Sequence, residues 1–309
     1  CGVSIARVAV QQIGNDQSVF IPAGAQYPFE CCHWVGYGIR LDDGWVEAGD
    51  AAAETAVVDF ASGTTATITN ITVTGGAAAN QDSTITVTDA IIAATTITLD
   101  DDVGQAAITV NPASDRAFGG TIDGASAGEG TLTIDDSSGG AADTVAFSGN
   151  IGGTNSLALV QVGDVSADTA GIATFAGTLA ATNITVESGT AASESSSATV
   201  TGAIAATNIT VTGNSAAVAI GATLTANSTT TAATTIQISG GAGAAAATAV
   251  FDANGDVTAT NIIVDGGAND ATATGIFRPS GNVTAAITID DNTGENASMV
   301  LDGTANQTI

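Results

Sequence analysis

The 309-residue chain contains no lysine, and Arg7, Arg40, Arg116 and Arg278 are its only strongly basic side chains. Against them stand 31 acidic residues, for a formal charge of -27. A surface that tracks phosphates needs clustered cations, so nucleic acid is excluded as a partner, and the same balance argues against an anionic membrane. Aromatics are scarce as well, at 4%. The bulk of the chain is Ala, Gly, Thr, Ser, Asn and Asp, whose small side chains cannot fill a thick core, so each turn of chain must lie close to its neighbours. Long apolar runs are missing too. Residues 195–251 carry no charge, yet Thr, Ser, Asn and Gly interrupt them every few positions, and no membrane span is expected. Helical spacing of apolar residues is absent, while Gly and β-branched Thr recur too often for helices.

What is present falls into two kinds of sequence. Residues 1–52 hold nearly all the unusual side chains: Cys1, Cys31, Cys32, His33, Tyr27, Tyr37, Trp34 and Trp45. Runs such as Ser18-Val19-Phe20-Ile21 and His33-Trp34-Val35-Gly36-Tyr37, separated by Pro and Gly turns, read as strands of a small aromatic β module, a cap or attachment unit. Three cysteines leave one thiol over after a single bridge, and adjacent cysteines rarely bond to each other. Cys1 pairs with either Cys31 or Cys32, and the remaining thiol is either buried or a crosslink to a neighbouring subunit. His33 beside Cys31 and Cys32 offers metal-ligand chemistry, but neighbouring strand residues point to opposite faces, so a packing role is expected for it.

Residues 53–309 repeat. The phrase Thr182-Asn183-Ile184-Thr185-Val186 returns 25 residues later as Thr207-Asn208-Ile209-Thr210-Val211, and more loosely at Asn70-Ile71-Thr72-Val73, Thr96-Ile97-Thr98-Leu99, Asn261-Ile262-Ile263-Val264 and Ala286-Ile287-Thr288-Ile289. A second landmark recurs as Phe60, Val87, Phe118, Phe147, Phe175, Val200, Leu224, Phe251, Phe277 and Leu301, in steps of 24 to 31 residues. Alternation within each phrase has period two, and Asp and Gly follow at once as turn signals. Short strands at so small a spacing are too few per unit for a sandwich, which leaves a parallel β-solenoid of about ten coils of roughly 25–30 residues each. Stacked coils would place Asn183 over Asn208, then Thr235, then Asn261, an amide column of the kind that shares side-chain hydrogen bonds.

Two acidic stretches carry oxygen ligands compatible with structural calcium. These are Asp100, Asp101 and Asp102, and the alternating Asp252, Asn254 and Asp256. In the second, Gly255 comes too early for a helix-loop-helix calcium loop and position twelve is Ile263. No other cofactor is expected. Asn-x-Ser/Thr occurs at Asn70, Asn183, Asn208, Asn227, Asn282, Asn296 and Asn306, and most are read as structural because several fall in expected strands. No basic and apolar leader opens the numbering, and residues 304–309 stop inside a repeat, so an array that continues is expected.

Units such as Ala146-Phe147-Ser148-Gly149-Asn150-Ile151-Gly152-Gly153-Thr154-Asn155-Ser156-Leu157 and Ala173-Thr174-Phe175-Ala176-Gly177-Thr178-Leu179 resemble the β-strand repeats of bacterial autotransporter passengers, large surface adhesins and S-layer proteins. Cys1-Gly2 also resembles the mature end of a bacterial lipoprotein. The repeat resemblance implies secretion, a cell-surface position and a structural or adhesive role. The first expectation is a self-associating rod in a surface layer, filament or fibre. The alternative is an adhesin or phage-type fibre binding cell-surface glycans. Only Arg116 and Arg278 lie in the array to serve a lyase, so an enzyme is not expected.

Overall fold

The computed structural model describes residues 9–12, 18–20, 39–40, 45–47, 56–60, 65–76, 82–88, 91–112, 114–136, 143–163, 170–189, 195–213, 221–240, 247–267, 273–290 and 296–301. Below residue 70 the description is of backbone pairing only. The early strands are β1 (Ala9–Gln12), β2 (Ser18–Phe20), β3 (Ile39–Arg40), β4 (Trp45–Glu47), β5 (Ala56–Phe60), β6 (Thr65–Thr74), β7 (Ser83–Val87), β8 (Ile91–Asp100), β9 (Ala106–Val110) and β10 (Arg116–Gly124). The middle strands are β11 (Thr131–Ile134), β12 (Thr144–Phe147), β13 (Leu157–Val162), β14 (Ile172–Phe175), β15 (Leu179–Glu187), β16 (Ser196–Val200) and β17 (Ile204–Thr212). The last are β18 (Gly221–Ala226), β19 (Thr230–Ser239), β20 (Thr248–Ala253), β21 (Val257–Asp265), β22 (Thr274–Pro279), β23 (Val283–Asp290) and β24 (Asn296–Met299).

Among β5 to β24 odd strands pair only with odd strands and even strands with even, always in parallel with one another, which is the topology of a β-solenoid. The expected fold class holds. At the early end the polarity changes: β1 pairs antiparallel with both β2 and β5, and β3 pairs antiparallel with β4, which in turn lies parallel to β6. No described helix is long and apolar enough to cross a membrane.

Period-two alternation drives the burial. Strands β7, β9, β16, β18 and β20 all alternate buried and half-buried positions, so every second side chain enters the core. Two inward columns run the length of the odd sheet. One passes through Ile85, Ile108, Leu132, Val160, Ile184, Ile209, Ile236 and Ile262, and the other through Val87, Val110, Ile134, Val162, Val186, Val211, Ile238 and Val264. All are buried.

The coil has three walls rather than two. Isolated bridges join Ile122 to Ile151 and Ile151 to Leu179, so the column that begins as Ile97 and Ile122 in the even sheet continues as Leu179 and Ile204 in the odd one. In early coils β6, β8 and β10 run unbroken round one corner, with a register shift between Gly119 and Thr121. Later the unbroken corner is the next one, where the pairings of β17, β19 and β21 shift between Ala206 and Asn208, Ala232 and Thr235, and Thr258 and Asn261. Stacked glycines line the first corner: a Cβ on Gly149 would overlap the Gly120 carbonyl, and one on Gly202 would overlap that of Gly177. Only residues without Cβ let successive coils close to this distance.

The coil count differs from expectation. The landmarks do not count coils as expected: about seven of the ten mark successive turns of one sheet. Phe118, Phe147, Phe175, Val200, Leu224, Phe251 and Phe277 lie on successive rungs of the even sheet, whereas Phe60 and Val87 belong to odd strands and Leu301 lies beyond β24. Nor do those seven form one column. Phe118, Phe147, Phe175 and Val200 continue into Ala226 and Ala253, while Leu224, Phe251 and Phe277 continue the column of Val145, Ala173 and Ala198. The bulk moves two residues along the strand between turns, with alanine filling the other column beside Phe175, Val200, Leu224 and Phe251.

Candidate assembly surfaces

The repeated phrase serves two different walls. As Asn70-Ile71-Thr72-Val73 and Thr96-Ile97-Thr98-Leu99 it lies in β6 and β8 of the even sheet, and from Asn183 onward in the odd sheet. Within the odd sheet Asn183, Asn208, Thr235 and Asn261 occupy consecutive rungs. Asn208 Nδ2 donates to Asn183 Oδ1 at 3.1 Å. A second amide link lies at a turn, where Asn254 Nδ2 donates to Asn227 Oδ1 at 2.9 Å.

The acidic turns are tied into the backbone. Asp101 accepts from the N–H of Ala106 at 2.6 Å through Oδ1 and from that of Gly130 at 2.8 Å through Oδ2, the second a coil away. Asp256 Oδ1 accepts from Asn282 N–H at 2.8 Å. The same device recurs at Asp82 to Gln105, Asp115 to Thr144 and Asp123 to Thr154, each 2.9 Å. Each of these five carboxylates therefore caps a backbone donor of the following coil with a charge-assisted bond. Chain spacing hides the device, since donor and acceptor are 23 to 31 residues apart.

These bonds bear on the calcium expectation. Among the described residues no group of three or more His, Cys, Asp or Glu is placed to hold a metal. Asp252 instead pairs in register with Arg278 of the next coil. Asp100 has its carboxyl held above the usual carboxylate range, first by partial desolvation and then by repulsion from Glu129, Asp102 and Asp101. Cys1, Cys31, Cys32 and His33 lie outside the described residues, and for Trp45 only the backbone pairing is described.

Aromatic packing is internal. Phe147 sits between Phe118 and Phe175, with centroids 5.0 Å away on both sides, and Phe251 stacks on Phe277 at 5.6 Å. Outside that stack runs an open groove of about 540 Å³, bordered by small outward residues including Ala117, Ala146, Ser148, Thr174 and Ala176. Its lining contains no charged side chain.

Two surfaces remain that could meet another molecule broadly. At the far end β23 and β24 are the last described strands of their sheets, and Ile289 is 47% exposed where Val264 one coil earlier is 0%. The second surface is the outer face of the odd sheet. Its first outward column is Thr84, Ala107, Thr131, Leu159, Asn183, Asn208, Thr235, Asn261 and Ala286. Its second is Thr86, Thr109, Thr133, Gln161, Thr185, Thr210, Gln237, Ile263 and Thr288. Over these nine rungs neither column contains a charge, and Asp59 stands in register one rung before Thr86. Acidic residues begin in the next outward column, with Glu187, Asp265 and Asp290.

Fold and surfaces together define a β-solenoid repeat protein. Comparison with protein-family models, curated proteins and solved structures returned no significant match.

Proposed function

We propose that this chain is a secreted structural protein of a cell-surface assembly, a surface layer, filament or fibre, in which an acidic β-solenoid rod associates with copies of itself. One observation carries the reading: successive coils are joined by parallel strand pairing in every described wall and by carboxylate-to-amide bonds at the turns. Such an arrangement resists bending and extends along one axis, the mechanical property of a spacer or lattice element.

Electron microscopy of purified chain and of material shed from the source cells tests this. Ordered lattices or filaments support it. Isolated rods fixed to virions or cell tips sink it in favour of the glycan-binding fibre. Adding EDTA to any assembly shows whether divalent ions bridge the acidic turns, since disassembly then follows chelation.

A further inference from the structure

Building on that reading, we propose that the outer face of the odd sheet, from β7 to β23, is a lateral docking face for a second copy of this chain. The first argument is charge. A molecule of formal charge -27 repels its copies, and their closest approach is least opposed where like charges do not meet. Both outward columns of this wall are uncharged over nine rungs, while Glu187, Asp265 and Asp290 stand along one margin. An uncharged centre beside a charged margin is the pattern of a protein interface.

Commensurability is the second argument. Rungs recur at roughly 4.8 Å, and a copy presents the same spacing, so ridges of one wall fit between ridges of the other along the whole contact. A partner without that period loses register after a few rungs. Half-buried Leu159 and Ile263, both at outward positions, add apolar contact that water does not reward.

Area is the third. Nine rungs at roughly 4.8 Å and two columns about 7 Å apart give on the order of 600 Å² per copy, or about 1,200 Å² in the pair. Specific interfaces begin near roughly 1,000 Å². The expected dimer is therefore weak, and it strengthens with salt because screening relieves repulsion between the acidic margins.

Sedimentation velocity on the full chain, at low and high sodium chloride, tests the proposal. In a two-fold docking the middle rung, β15, lies closest to its own copy, so Thr185 is the position to charge. Wild type is expected to dimerise with rising concentration, more strongly at high salt. Thr185→Asp and Thr185→Lys alone each weaken association at least about tenfold, and an equimolar mixture of the two restores it. Thr210→Asp repeats the test one rung away, with far-UV circular dichroism confirming the fold of every variant.

Association of Thr185→Asp at wild-type strength overturns the face while leaving the self-associating rod intact. A wild-type chain that stays monomeric throughout overturns both. Association that responds to calcium but not to sodium at matched ionic strength also overturns the face, because the contact then runs through carboxylates. So does binding of a neutral glycan that is lost in Thr185→Asp without any dimer in the wild type.

Discussion

Removing the middle ring of the aromatic stack tests how the core is held. Phe147 is 2% exposed and lies face to face with Phe118 and Phe175, both centroids 5.0 Å away. Phe147→Ala costs about 3–5 kcal/mol as a buried aromatic truncation, and the two lost ring contacts, each worth about 0.5–1.5 kcal/mol beyond area, place it in the upper part of that range. Collapse cannot relieve the cavity easily, because the adjacent inward residue, Val145, is itself buried and the backbone on both sides is fixed by pairing to β10 and β14. Phe147→Leu keeps most of the volume and costs less. The assay is urea denaturation of the full chain followed by far-UV circular dichroism, with hydrogen exchange at Val145 and Ala173 as the local readout. Repeat arrays lose stability locally, so exchange should accelerate there before it does around β20 and β22. Stability within about 0.5 kcal/mol of wild type, with unchanged exchange, would refute the stacked core.

Asn208→Asp sets an acceptor against the Asn183 carbonyl oxygen in place of the donor that reaches it at 3.1 Å, and should cost about 1–3 kcal/mol in thermal or urea melts. Asp101→Ala removes both acceptors from the amides of Ala106 and Gly130 and should cost on the order of 2–3 kcal/mol, with faster amide exchange at Gly130 as the specific sign. Gly202→Ala drives a Cβ into the Gly177 carbonyl, so a loss of about 1–3 kcal/mol is expected, and a neutral outcome would contradict the close coil spacing at that corner. Asp100 has a raised pKa in the fold, so the folded state binds its proton more tightly than the unfolded chain does. Its contribution therefore falls as pH rises through the window between the ordinary and the raised value. Asp100→Asn should melt higher than wild type at neutral pH, with the difference vanishing once both states are protonated in acid.

The class of fold was legible because two signals agree. Alternation as in Ile184-Thr185-Val186 demands strands with one buried face, and its return 25 residues later leaves stacking of coils as the way to bury thin rows of Ile and Val. The consecutive placement of Asn183, Asn208, Thr235 and Asn261 follows from the same spacing. Which landmarks share a column was not legible, because a register displaced by two residues preserves the in-and-out pattern. Phe175 and Phe251 look equivalent in the sequence, yet Val200 and then Ala226 follow Phe175, while Phe251 stacks beyond Leu224.

By itself, then, the sequence determined the acidity, the small-residue composition and the strand period, and through them a parallel β-solenoid. Tertiary structure decided which wall each phrase occupies, why Asp101 and Asp256 hold amides of the following coil, and that the outer columns from Thr84 and Thr86 onward form an uncharged face. The physical reason is range. Alternation and turn chemistry act within a few residues, whereas a carboxylate bonded to an amide 26 or 29 residues away exists only after the coils have stacked.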